Sequence, residues 1–353
     1  ELALACSYRV ASDHAKVTIA LPEGNLGIIP GFGGTQRLPR LIGLQQSLPL
    51  ILTGKGITGK KAEKIRLVDA YYSDALFDQN LLKFVEQILV KPEQVISKRK
   101  RKGLINAVLE QTFLGRSIVY SQARKTVLKK SKGFYPAPLA ALDAVKKGLR
   151  KPLLTGLEIE RDYFAEVCIT DISKQLISLF FLMESAKKYR GIDDGNVAAI
   201  TISRAAVLGA GLMGGGISWI LAYSKIPTLM KDIDNKALTL GYNAADKMTK
   251  ALVKRRKLTP SEAMLLHHRL NGTLSLNGFK HIDIVIEAIV ENMDIKKKVL
   301  AEVEGQVNPK TILATNTSSL SVTEMATSLK RPENFVGLHF FSPVNRMPLV
   351  EVI

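Results

Sequence analysis

The stretch Val207-Leu-Gly-Ala-Gly-Leu-Met-Gly-Gly-Gly-Ile217 decides the fold of the second half of this chain. Ala205–Leu208 is a short apolar run that predicts a strand, and Gly211–Tyr223 reads as the helix after it. Gly209-Ala-Gly211-Leu-Met-Gly214 is thus a GxGxxG turn set directly between strand and helix. The first glycine permits the tight turn, the second lets backbone approach a pyrophosphate, and the third lets helix and strand pack closely. The helix N-terminus then offers free N–H groups and a positive dipole end to phosphates. Alone the spacing is weak, because glycines at this interval often serve only as turns. Asp232 strengthens it: the residue ends a second predicted strand, Thr228–Lys231, where an acid accepts hydrogen bonds from an adenosine ribose. A carboxylate there repels a 2′-phosphate, so NAD is preferred to NADP. The bland alternative, that Asp232 caps a helix, has a better candidate in Asp234.

Outward from this turn, Asp283–Glu287, Thr311–Thr315 and Phe335–His339 read as further strands separated by amphipathic helices. That alternation predicts βαβ units and a parallel sheet. Thr259-Pro-Ser-Glu262 has the residues of a helix start: Thr at the N-cap, Pro at the first position and Glu closing a capping box. Residues 1–75 are rich in Gly and Pro, with short apolar stretches and tight turns. Residues 76–195 read as helices at Asp78–Val90, Ile118–Lys130, Pro138–Gly148, Leu157–Ile169 and Ser173–Tyr189. Thr170 or Asp171 caps the last of these, and Gly191 follows its end. The third region runs from 196 to 353.

Composition narrows the function classes. With 353 residues, 46% apolar and 23% charged, the chain is long enough for two or three packed domains. Cys6 and Cys168 are far apart and form no CxxC pattern, which excludes a disulfide framework and fits a reducing compartment. The histidines lack ligand spacing, since His267 and His268 diverge on a helix, so no metal site is expected. No run of about eighteen apolar residues predicts a membrane span. A net charge of +18 invites a nucleic-acid reading. The basic runs Ser97-Lys-Arg-Lys-Arg-Lys102 and Lys254-Arg-Arg-Lys257 carry no interleaved aromatics, however, so a solvated basic surface is the simpler account. Glu1 opens directly onto an apolar segment and Leu349–Ile353 reads as a strand in mid-course, so both ends are expected to lie inside domains.

Four motifs in register, VLGAGLMGGGI (207–217), DIVIEAIVENMDIKKKV (283–299), ATNTSSLSV (314–322) and GLHFFSPVNRMPLVEVI (337–353), resemble the 3-hydroxyacyl-CoA dehydrogenase family. The resemblance implies that His339 is the catalytic base and Glu351 the acid that orients it. Ser318 matches the hydroxyl that hydrogen-bonds the substrate oxygen, and Glu291 and Lys296 match cofactor-proximal positions. Ser342 stands where some relatives have asparagine. The chemistry suits these types: oxidising a secondary alcohol by hydride loss needs a base for the hydroxyl proton, and imidazole titrates near working pH. Without the resemblance, His339 would read as a satisfied core histidine, and Glu291 as a helix N-terminal acid.

Glu1-Leu-Ala-Leu-Ala-Cys6, Leu21-Pro-Glu-Gly-Asn-Leu-Gly27, Pro30-Gly-Phe-Gly-Gly-Thr-Gln-Arg-Leu-Pro39, Leu52–Lys55 and Ala62–Asp69 resemble the enoyl-CoA hydratase (crotonase) family. The resemblance implies that Glu1 and Glu23 are its two catalytic glutamates, one a base and the other a proton donor. Alone, Glu1 is a terminal acid and Glu23 a loop acid. Gly24, where an apolar residue is usual, and Arg66, where glycine is usual, depart from the pattern. The family's oxyanion hole uses two N–H groups that precede the first glutamate. The chain is therefore expected to be a weak hydratase, at about a hundredfold per donor.

Lys132-Gly-Phe-Tyr-Pro-Ala-Pro138 resembles the connecting region of fatty-acid oxidation α subunits and their mitochondrial trifunctional relatives. The expected architecture is α/β: the C-terminal part of a crotonase fold in 1–75, a helical region in 76–195 completing it and linking, then a Rossmann-type NAD-binding domain in 196–353. The resemblance implies NAD as cofactor, coenzyme A thioesters as substrates and a thiolase β subunit as a candidate partner. No nucleic acid is expected as a partner. The compartment would be cytoplasmic in a bacterium and mitochondrial in a eukaryote. Competing readings are enoyl-CoA isomerisation by the same two acids, and a non-catalytic NAD-binding or scaffold protein.

Overall fold

The computed structural model describes residues 1–97, 109–110, 112–189, 191 and 198–353. They belong to two compact units, Glu1–Asp193 and Asp194–Ile353. The basic run after Ser97 and the expected boundary at 195/196 lie outside the described residues.

The first unit begins with α1 (Leu2–Ala5) and β1 (Val10–Ser12). A short 3₁₀ turn at Pro22–Leu26 precedes three helices: α2 (Gly34–Ile42), α3 (Leu44–Thr53) and α4 (Gly59–Lys64). These helices correct the expectation of turns and short stretches before residue 75. Pro39 lies inside α2 and Pro49 inside α3, and each removes an interior N–H, so local propensity argues against helix here. Burial overrides it, because Leu38, Ile42, Leu48 and Ile51 all enter the unit's main core. Next come β2 (Ala70–Tyr72), parallel to β1, then α5 (Phe77–Val90) and α6 (Pro92–Ser97). Three longer helices, α7 (Phe113–Ser131), α8 (Ala137–Gly148) and α9 (Leu153–Cys168), follow. The small residues Ala137, Ala141 and Ala144 let α8 pack into the same core. Thr170, the first of the two candidate caps, accepts the Ser173 amide at the start of α10 (Asp171–Lys188). No described helix is long and apolar enough to cross a membrane.

The second unit is a seven-stranded sheet in the order β5-β4-β3-β6-β7-β8-β9. Its strands are β3 (Ala205–Leu208), β4 (Thr228–Lys231), β5 (Leu270–Thr273), β6 (Ile284–Glu287), β7 (Ile312–Thr315), β8 (Phe335–Phe340) and β9 (Val350–Val352). β3 to β8 are parallel, and β9 alone runs antiparallel, against β8. The parallel expectation thus fails at one edge. There the chain after Phe340 doubles back through the irregular segment 341–349 rather than crossing over by a helix. β3, an interior strand between β4 and β6, is buried along its whole length. The helices are α11 (Leu212–Tyr223), α12 (Asn235–Lys254), α13 (Pro260–His268), α14 (Met293–Glu304) and α15 (Val322–Ala326). The capping box at Thr259 and Glu262 is present, with both of its hydrogen bonds made.

This is the Rossmann order, and the strand sequence reverses between β3 and β6. In open α/β sheets a crevice opens at such a switch point, beyond the carboxyl ends of the strands. Here the loops after β3 and β6 meet at that place. The positive φ of Gly209 (93°) turns the chain there, and a Cβ on it would come within 2.6 Å of the Ala288 carbonyl.

Candidate active sites

At the switch point, the three glycines of the β3–α11 turn behave differently from one another. A Cβ on Gly214 would lie 1.8 Å from the Gly209 carbonyl, so this glycine lets α11 pack on the turn. A Cβ on Gly211 would meet nothing within 4 Å. The space before Gly211 is open, as backbone approach by a pyrophosphate requires. Asp232 follows β4 directly: Oδ2 accepts from the Ala210 amide at 2.5 Å and Oδ1 from Ile233 at 2.6 Å. Asp234, not Asp232, caps α12. Each oxygen of Asp232 keeps acceptor capacity for a ribose diol. Turn, helix end and acid therefore fit the adenosine and pyrophosphate part of NAD.

A second cluster lies beyond the ends of β6, β7 and β8. His339 and Glu351 face each other across the β8–β9 pair, with Nδ1 and Oε2 2.7 Å apart. His339, Ser318, Asn316, Glu291 and Lys296 line one cleft of about 340 Å³, together with Ser342. The Asn316 side chain accepts the Phe340 amide at 2.8 Å, tying the loop after β7 to the end of β8. Glu291 does not act mainly as a helix acid, because Asn292 caps α14. It accepts from the Thr317 hydroxyl and lies 3.2 Å from Lys296 Nζ. Burial opposes its ionisation, but the Thr317 hydroxyl and the Lys296 ammonium outweigh that and hold its carboxyl below the usual range. The sequence reading missed Glu287, which is fully buried at the end of β6 and binds Lys296 Nζ at 2.6 Å.

In the first unit, Glu1 and Glu23 come together. Glu1 Oε1 accepts the amides of Phe32 at 2.9 Å and Gly34 at 2.7 Å, around the start of α2. Glu23 has a buried Oε2 with no hydrogen-bond partner among the described residues. Burial pushes its carboxyl upward, its own amide partly offsets this, and the neighbouring Glu1 raises it further. The pair is therefore unequal: Glu1 accepts two backbone amides, while Glu23 holds its proton more tightly than an exposed glutamate does.

A third acid, Glu160 on α9, was also missed. Almost completely buried, it accepts the Gly33 amide at 2.5 Å and the Thr35 amide at 2.8 Å, along with the Thr35 hydroxyl. Glu1 and Glu160 thus take alternate amides along 32–35. Glu1 also lines a mainly apolar cavity of about 390 Å³ beside Leu4, Leu21 and Leu50. A larger cavity of about 620 Å³ between α3 and α7 contains none of these acids. Among the described residues no group of three or more His, Cys, Asp or Glu is placed to hold a metal ion.

Comparison with known proteins agrees with this division. Residues 204–353 match the family model described as 3-hydroxyacyl-CoA dehydrogenase, NAD binding domain, and residues 1–131 match that of enoyl-CoA hydratase/isomerase. Fatty acid oxidation complex subunit alpha of Vibrio parahaemolyticus is 42% identical over 100% of this chain and 49% of its own length. The protein of that name from Shewanella oneidensis gives the same identity and coverage. The chain thus spans about half the length of the curated relatives it matches. Among solved structures, (S)-3-hydroxybutyryl-CoA dehydrogenase from Ralstonia eutropha is 38% identical, covering 43% of this chain and 54% of that one, with a TM-score of 0.42. Two family matches thus lie in tandem along this chain, enoyl-CoA hydratase/isomerase over residues 1–131 and the 3-hydroxyacyl-CoA dehydrogenase NAD-binding domain over residues 204–353, and the whole chain aligns with fatty acid oxidation α subunits.

Proposed function

We propose that the chain carries out two successive steps of fatty-acid β-oxidation: hydration of a trans-2-enoyl-CoA, then NAD-dependent oxidation of the (S)-3-hydroxyacyl-CoA to the 3-oxoacyl-CoA. The observation that carries the reading is the His339–Glu351 pair, whose histidine lines a cleft with Ser318 beside the dinucleotide turn. Bound NAD supplies the hydride acceptor. With Nδ1 engaged by Glu351, the other ring nitrogen of His339, Nε2, takes the substrate hydroxyl proton as the C3 hydride leaves. Glu351 stabilises the imidazolium that forms, and the Ser318 hydroxyl positions the substrate oxygen. The turn Gly209–Gly214, open at Gly211, would receive the pyrophosphate and Asp232 the adenosine ribose, with Glu291 and Lys296 as further cofactor-proximal residues.

In the first unit, water adds to C3 of the enoyl thioester as Glu1 takes its proton, and Glu23 delivers a proton to C2. The inequality of the two carboxyls supports this split of roles. Acyl-CoA thioesters are the substrates. The relatives are named as subunits of a complex, which supports a partner subunit; a thiolase-type β subunit is the partner proposed from the family resemblance. The compartment follows the host: cytoplasm in a bacterium and mitochondrion in a eukaryote.

The test uses two substrates. Crotonyl-CoA with NAD yields NADH only if both reactions run in order, whereas (S)-3-hydroxybutyryl-CoA with NAD isolates the second. NADH from both substrates is expected. NADH from neither, with a folded protein at its relatives' full length, would remove the reading.

A further inference from the structure

Glu287 belongs to no part of the mechanism above, yet it is fully buried and carries a charge-bearing side chain. It ends β6, level with Leu208 of β3 on one side and Thr315 of β7 on the other. Its Oε1 accepts from Lys296 Nζ at 2.6 Å and from the Ile289 amide at 2.8 Å. Its Oε2 accepts from the Thr315 hydroxyl at 2.6 Å. Thr315 Oγ1 in turn receives the Thr317 amide at 3.3 Å. Lys296, itself almost completely buried, reaches on to Glu291 at 3.2 Å. Glu291 then receives the Thr317 hydroxyl and the Ser318 amide.

Both loops that form the catalytic end of the cleft are therefore tied to one carboxylate. The loop after β6 is held through Ile289 and through Lys296 to Glu291. The loop after β7 is held through Thr315 and through Glu291. Buried ion pairs are weak evidence for stability, since desolvation cancels much of their attraction, so a purely structural account of Glu287 is thin. Their best-attested use is to fix one arrangement among several.

We propose that Glu287 is a positioning residue: it sets Lys296, and through Lys296 and Thr315 the Ser318 loop, for the nicotinamide half of the cofactor. The proposal rests on the dinucleotide reading given above. It makes a selective prediction, because Gly209–Gly214 and Asp232, which would hold the adenosine half, make none of these contacts.

The test compares binding of NADH and ADP to the chain as it stands, by fluorescence and calorimetric titration. Glu287→Gln keeps the shape but removes the charge that holds Lys296. It is expected to weaken NADH binding by about tenfold or more, the scale of one lost charge-assisted hydrogen bond, with ADP unchanged. Thr315→Val removes one donor to Glu287 and leaves the ion pair, so a smaller loss confined to NADH is expected. A merely structural role would weaken both ligands together, and that result, or unchanged NADH affinity, overturns the proposal. If Glu287→Gln does not fold, the Thr315→Val comparison decides by the same criterion. If the unaltered chain binds neither ligand, the dinucleotide reading fails, and this proposal fails with it.

Discussion

His339→Gln is expected to lower oxidation of (S)-3-hydroxybutyryl-CoA by about a thousandfold while leaving hydration of crotonyl-CoA intact. Gln matches the width of the imidazole and can still hydrogen-bond Glu351, so the β8–β9 pairing should persist. It has no basic nitrogen, however, and the hydroxyl proton is left without an acceptor at the moment of hydride loss. General-base contributions run from about a hundredfold to ten-thousandfold, which sets the scale. The measurement is the rate of NADH formation, made beside the hydration rate, in a protein carrying this sequence at its relatives' full length. Loss of both activities together would argue against two separate sites.

Glu23→Gln is the mirror experiment. Hydration is expected to fall by about a hundredfold or more, with oxidation of the hydroxyacyl thioester unchanged. The same substitution has a second, opposite effect on stability. Burial and Glu1 raise the folded carboxyl of Glu23 above its ordinary value. A raised acid binds its proton more tightly folded than unfolded, so its favourable contribution exists below the ordinary value and is lost as pH rises through the raised one. Glu160 is shifted in the same direction, burial being the leading cause, partly offset by Thr35 and the amides it accepts. Glu291 has the reverse sign: its depressed carboxyl stabilises the second unit above the ordinary value, and that is lost as pH falls through the depressed one. Glu23→Gln stays neutral at every pH. It should therefore raise the unfolding temperature of the first unit at pH 7 and change it little at pH 4, as thermal unfolding would show. A lower unfolding temperature at pH 7 would mean that the buried carboxyl is stabilising as an anion.

Much of the second unit was legible because its signals are local. The glycine turn, the two short strands that flank its helix and the acid after β4 all sit within about thirty residues, the span of one βαβ unit. β5 escaped notice for a local reason too. Leu270-Asn-Gly-Thr273 is composed largely of turn-forming residues, and only Leu270 is buried. It is a strand because β4 offers it a free edge. The helices of the first unit were hidden by Pro39 and Pro49, whose local cost is met by burial that no window of sequence displays.

The site residues divide along the same line. His339 and Glu351 were readable through a motif, and the structure supplies the antiparallel pairing that sets one against the other. Glu287 and Glu160 were not readable. Glu160 sits two residues from Glu158 on the same helix; one is buried and the other exposed, and the sequence treats them alike. Glu287 gains its meaning from Lys296 on α14 and Thr315 on β7, which the fold brings to one carboxylate. Acids whose partners lie on other elements carry no periodicity of their own.

A direct titration tests whether residues 204–353 form a site for NAD. The chain is titrated with NADH and, separately, with NADPH, following nucleotide fluorescence, with circular dichroism recorded on the same sample to show that it is folded. Saturable one-to-one binding of NADH is expected, with NADPH weaker by about tenfold or more because Asp232 repels the 2′-phosphate. A folded chain that binds neither nucleotide, or that prefers NADPH, would contradict the assignment of the glycine turn and Asp232.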